Sequence, residues 1–134
     1  MLILILVPIP AACSSSGKTK YMNKATGIIA SEGFPNNYSN NVDCGFAIWV
    51  TKAERVTLSF DFFNLEPSHN CSSDYVEVFD GMGSDGPSLG RFCGNTLPPT
   101  VETTTNFGHM FIRFVSNGVG QYPGFKASYK TSCK

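Results

Sequence analysis

The residues of this 134-residue chain that could do chemistry are few, and its cysteines say the most. Cys13, Cys44, Cys71, Cys93 and Cys133 include no C-x-x-C pair. That spacing speaks against structural zinc and dithiol redox chemistry, and for disulfides formed in an oxidising compartment. With five cysteines one is left over, and spacing alone leaves many two-bridge pairings open. The two histidines, His69 and His109, have no nucleophile beside them in the sequence. No G-x-S-x-G, H-E-x-x-H or glycine-rich phosphate loop occurs, so the chain is read as a non-enzyme. Two N-glycosylation sequons stand in turn-rich stretches, at Asn37-Tyr38-Ser39 and Asn70-Cys71-Ser72.

The charges narrow the partners. Ten basic side chains balance ten acidic ones, so the formal net charge is zero. Nucleic acid is excluded, because binding it needs a basic surface, and no cationic run addresses anionic membranes. Residues 1–12, from Met1 to Ala12, are almost wholly apolar but too short to span a bilayer, which takes about 20 apolar residues. They read as a signal-peptide remnant or a non-native leader, and no transmembrane segment is expected.

The elements that must position these residues are strands. Residues 13–24 are polar and aperiodic, and no element is assigned there. Gly27-Ile-Ile-Ala30 is a short apolar run, and residues 33–41 are dense in turn formers. Cys44, Phe46, Ile48 and Val50 alternate along one buried face, as do Val56, Leu58, Phe60 and Phe62. Residues 74–79 form another strand, closed by the turn Asp80-Gly81, and residues 110–115 and 125–129 supply two more. His109 marks the edge of the strand that follows it. No ten-residue stretch has helical periodicity. The pattern predicts an all-β antiparallel sandwich.

Several segments, in order, resemble the CUB domain family. They are Gly27-Ile28 with Gly33-Phe-Pro-Asn-Asn-Tyr38, Cys44-Gly-Phe-Ala-Ile48, Phe60-Asp-Phe-Phe-Asn-Leu-Glu66, Cys71-Ser-Ser-Asp-Tyr-Val-Glu-Val-Phe-Asp-Gly81, Gly90-Arg-Phe-Cys-Gly94, Phe114-Val-Ser-Asn117 and Gly124-Phe125. The likeness covers residues 13–130 and implies a jelly-roll-like sandwich. It implies the disulfides Cys13–Cys44 and Cys71–Cys93. It implies that 131–134 are a linker or the start of a following module, with Cys133 as that module's first cysteine, as in cubilin-like arrays; read without the resemblance, Cys133 is a free thiol or pairs between molecules.

The resemblance also implies a calcium site. Carried over, the family's ligands fall on Tyr38, Glu66, Asp74 and Asn117, with Asn117 standing where the family has an aspartate. An amide oxygen can ligate calcium but brings no charge, so a weaker site is expected. Tyr38, Glu66 and Asp74 would then receive an exposed lysine or arginine of an extracellular protein partner through charge-assisted hydrogen bonds. Read without the resemblance, Glu66 and Asp74 are a solvated turn acceptor and a solvated strand-start residue. The implied setting is extracellular, either secreted or in the ectodomain of a membrane-associated protein. Two other functions stand beside this one: a single-module secreted protein of spermadhesin type that binds carbohydrate or a surface, and a calcium-free spacer. Trp49 lies on the outward side of its strand. It is expected to be covered by a loop; left open, it could stack on a sugar or anchor a partner.

Overall fold

The structure, a computed structural model, describes residues 9–13, 17–105 and 107–133. Most of the apolar leader expected over residues 1–12 therefore lies outside the described residues. The strands are β1 (Ala11–Ala12), β2 (Thr19–Met22), β3 (Thr26–Ala30), β4 (Asp43–Trp49) and β5 (Arg55–Asn64), then β6 (Tyr75–Phe79), β7 (Ser88–Phe92), β8 (Val101–Glu102), β9 (His109–Val115) and β10 (Gly124–Ser132). A 3₁₀ turn, His69–Cys71, precedes β6. The strands form two five-stranded sheets, in the orders β1-β3-β10-β5-β8 and β2-β4-β9-β6-β7. Pairing is antiparallel except at one border of each sheet, where β1 joins β3 and β2 joins β4 in parallel.

The inner faces carry the side chains that alternation assigns to them. Phe46 and Ile48 of β4, Val56 and Leu58 of β5, Val76 and Val78 of β6, and Ile112 and Phe114 of β9 share one core. Phe60 sits in a cluster of rings, with Phe63, Phe92 and Phe125 at centroid distances of 5.4, 6.1 and 6.3 Å. Full burial of one such side chain is worth about 1.5–3 kcal/mol.

Two expectations are corrected here. Phe62 does not continue the buried face of β5; it is 39% exposed, while Phe63 is 4% exposed. Lys126 pairs with Phe62 and Ala127 pairs with Phe60, so Asp61 has no partner across the ladder. That extra residue is a β-bulge, and beyond it the inward and outward positions exchange. Trp49 is not covered by a loop; it is 56% exposed, its ring edge-on to His109 at 5.3 Å.

The polar segment after Cys13 also differs from its reading as structureless. Thr19–Met22 runs beside β4 at the border of its sheet. Its side chains are largely exposed, so backbone hydrogen bonds hold it and no alternation marks it.

Two disulfides are present, Cys13–Cys44 and Cys71–Cys93, with Cα atoms 5.7 and 5.4 Å apart. The Cys71–Cys93 loop has a sequence separation of 22. Closing a loop of that size stabilises by about 3 kcal/mol in the chain-entropy account. Cys133 is free and exposed.

Candidate functional site at one end of the sandwich

Three loops meet at one end of the sandwich: 31–42 after β3, 65–74 between β5 and β6, and 116–123 after β9. The turn-rich segment 33–42 is laced to the segment that follows β9. Asn41 N–H donates to the Asn117 carbonyl at 2.8 Å, and Tyr38 N–H donates to the Tyr122 carbonyl at 3.1 Å. The Ser116 hydroxyl accepts from Val42 N–H at 2.9 Å and donates to the Ser39 carbonyl at 2.7 Å. Leu65 N–H donates to the Gly94 carbonyl at 2.8 Å, holding the end of β5 beside the Cys71–Cys93 bridge. Ahead of β6, the Ser68 hydroxyl accepts from Ser73 N–H at 3.0 Å across the 3₁₀ turn.

Tyr38 is the hub. It is buried, and its ring packs edge-on against core Phe114 at 5.1 Å. Its hydroxyl donates to Asp74 Oδ2 at 2.5 Å and accepts from Glu66 N–H at 3.3 Å. The other oxygen of Asp74 accepts from Asn117 N–H at 2.8 Å. Tyr38, Glu66, Asp74 and Asn117 are thus joined by direct hydrogen bonds, though they lie far apart in the chain. Val119 N–H donates to the Asn117 side-chain oxygen at 3.2 Å.

The electrostatics are those of two carboxylates gathered on one tyrosine, with one carboxylate oxygen left without a donor. Asp74 is 0% exposed, so the reading of it as a solvated strand-start residue is corrected: it is enclosed, and Tyr38 and the Asn117 backbone donate to its carboxylate. Burial, with the hydrogen bond to Asp74 adding to it, pushes the Tyr38 phenol well above its ordinary range. Tyr38 therefore stays a proton donor at any physiological pH. Glu66 Oε2 is buried and has no hydrogen-bond partner. Glu66 as a whole is half-buried, and an oxygen so placed costs about 1–3 kcal/mol unless something positive offsets it.

These donors fit a hard cation in kind. Calcium takes six to eight oxygens from carboxylates, amides, carbonyls and water. Two carboxylates, an amide oxygen and a phenolic oxygen are gathered here, one of them unpartnered. Among the described residues no three His, Cys, Asp or Glu side chains come together as a metal-binding group, so the set rests on only two carboxylates.

Other sequence candidates lie apart from this network. The sequon residues Asn37 and Asn70 are both exposed, Asn37 in the loop that carries Tyr38 and Asn70 in the 3₁₀ turn beside Cys71. His69 is exposed in that same turn, and His109 opens β9 at the far end of the sandwich. A residue that reads in the sequence only as a turn former proves structural. Buried Asp80 accepts four hydrogen bonds from Thr104 and Thr105, one from each backbone N–H and one from each hydroxyl. The run Thr103-Thr-Thr105 was the available signal.

Comparison with known proteins gives a consistent picture. A family model described as CUB domain matches residues 13–129. Tolloid-like protein 1 of Homo sapiens is 36% identical over 121 residues, covering 90% of this chain and 12% of that protein. Cubilin of Canis lupus familiaris is 42% identical over 120 residues, covering 89% of this chain and 3% of that protein. The chain therefore spans a small part of the length of these relatives. Among solved structures, the MASP-1 CUB2 domain bound to Ca2+ superposes with a TM-score of 0.71 at 30% identity, covering 86% of this chain and 98% of that one.

Proposed function

The chain belongs to the CUB domain family, protein-interaction modules of extracellular proteins, and from that premise we propose that its Tyr38 end is a calcium-dependent site that captures a basic side chain of a partner protein. The observation that carries this reading is the buried, unpartnered Glu66 Oε2 beside a second carboxylate, Asp74, on the same tyrosine. The likeness to a calcium-bound MASP-1 domain supports it further.

In this reading Glu66, Asp74, Asn117 and Tyr38 hold the ion. Calcium, when bound, supplies the positive charge that the carboxylates lack and ties their loops together. The chain's own residues do the rest. Tyr38 keeps its proton on Oη and fixes the Asp74 carboxylate through it. Backbone N–H of Asn117 fixes the other oxygen, so the carboxylate is aimed before any partner arrives. The Cys71–Cys93 bridge and the Ser116 hydrogen bonds limit the movement of the three loops. The partner's lysine or arginine then meets oriented acceptors, which favours charge-assisted hydrogen bonds over a loose surface pair. Such a contact weakens as salt rises.

The test is thermal unfolding at increasing calcium. At about ten times its Kd the ion should stabilise by about 1.4 kcal/mol, a shift of several degrees. Glu66→Gln keeps the shape of the side chain and should remove the shift, as should Asp74→Asn. A curve that stays flat up to about 10 mM calcium discards the ion site.

A further inference from the structure

The opposite end of the same sheet carries a second feature, unconnected with Tyr38. β4 runs from Asp43, near the site described above, to Trp49, about 20 Å away at strand rise. On the outward face of this sheet Tyr21, Ala47, Phe111 and Phe79 lie opposite one another in register across four strands. Three of the four are covered: Ala47, Phe79 and Phe111 form a small apolar cluster with Met82 from the loop after β6. The fourth, Tyr21, is 75% exposed, and Trp49, two residues beyond Ala47 on the same face, is 56% exposed.

Between them lies a cavity of about 170 Å³, lined by Tyr21, Met22, Asn23, Ala47, Trp49 and Met82. Its construction is specific. Tyr21 and Trp49 are diagonal neighbours on adjacent strands, so their backbones stand roughly 8 Å apart, enough to admit one ring between two aromatic side chains. The small Ala47 side chain leaves the space open between them. Trp49 is held from behind by the His109 ring, at 5.3 Å and an interplanar angle of 87°. No charged side chain lines the cavity, and Asn23 offers an amide donor and acceptor at its rim.

From this we infer that Tyr21 and Trp49 form a binding site for a neutral sugar, one pyranose ring of a glycan. A pyranose has apolar C–H faces that suit aromatic walls and a rim of hydroxyls that suits an amide. The space is that of about six waters, so it takes one ring and not a longer stretch of chain. An extended peptide needs a groove along several residues, longer than a space of about 170 Å³ offers. The absence of lysine and arginine from the lining selects neutral sugars over sialylated or sulfated ones.

Trp49 is the only tryptophan in the chain, so its fluorescence reports this site alone. The intact chain is titrated with methyl glycosides of glucose, galactose, mannose and N-acetylglucosamine, then with neutral oligosaccharides that contain the responding ring. The expected result is a saturable change in Trp49 emission with at least one of them, at a Kd in the millimolar range. Tyr21→Ala, at an exposed position, should leave the unfolding temperature unchanged and weaken binding by about tenfold, the scale of one lost ring contact. Emission that does not respond to any neutral sugar overturns the proposal, as does a response that Tyr21→Ala leaves intact. A response to a proline-rich peptide in place of the sugars overturns it in favour of peptide recognition.

Discussion

The Tyr38 hydroxyl donates to Asp74 Oδ2 at 2.5 Å, joining a turn-rich loop to the start of a core strand 36 residues away. The same oxygen accepts from Glu66 N–H, so one phenol ties down both ends of the acidic 65–74 loop. Tyr38→Phe keeps the ring against Phe114 and removes only this oxygen. A buried carboxylate then loses a donor and a backbone N–H loses an acceptor. The expected cost is about 1–3 kcal/mol, read as a drop of several degrees in the unfolding temperature. A variant as stable as the parent would show that water replaces the hydroxyl without loss.

Asp80 makes a prediction in pH. Burial works against its charge, but hydrogen bonds from Thr104 and Thr105 more than offset it and hold its carboxyl below the ordinary range. A depressed folded-state pKa gives stability that is fully present above the unfolded value, near 3.9, and is lost as pH falls through the folded one. Asp80→Asn should cost about 2 kcal/mol near pH 7, measured by urea unfolding. The gap between parent and variant should shrink as the pH is lowered toward about 2. A gap that stays constant over that range would mean the carboxylate charge contributes nothing.

Gly108 makes a prediction of sterics. It has φ of +66°, and a Cβ there would stand 2.7 Å from the Ala53 carbonyl oxygen and 2.9 Å from that of Val50. Both contacts are with backbone, which moves only if the 50–53 turn opens. Its own carbonyl accepts from Val50 N–H at 3.2 Å, so the turn and the glycine are interlocked. Gly108→Ala should destabilise by about 3 kcal/mol, combining left-handed strain with overpacking. Unfolding in urea with unchanged slope and a lower midpoint is the expected reading.

Much of the fold was legible because burial follows alternation. Val56, Leu58 and Phe60 are buried where period two puts them, and the same holds for Phe46 and Ile48. The alternation fails at Phe62 because a bulge depends on the pairing of β5 with β10, and nothing within β5 announces it. β2 escaped notice because its side chains face solvent and its order comes from backbone bonds to β4. The four residues around Tyr38 came to attention through resemblance, since no local pattern links positions 38, 66, 74 and 117. Their hydrogen bonds, and the unpartnered oxygen of Glu66, are properties of three-dimensional approach alone.

Asn117 tests the calcium reading from the other direction. Its N–H serves Asp74, and its side-chain oxygen, which accepts from Val119 N–H, brings no charge. Asn117→Asp adds a third carboxylate where two already share one tyrosine. Without calcium the three repel, so the unfolding temperature should fall below that of the parent. With calcium the added charge strengthens the site, since affinity rises with the number of charged ligands, and a gain of about tenfold is expected by calorimetry. The two curves should therefore cross as calcium is raised. If Asn117→Asp lowers stability by the same amount at every calcium concentration, the acidic cluster is a local electrostatic cost, and its carboxylates do not hold the ion.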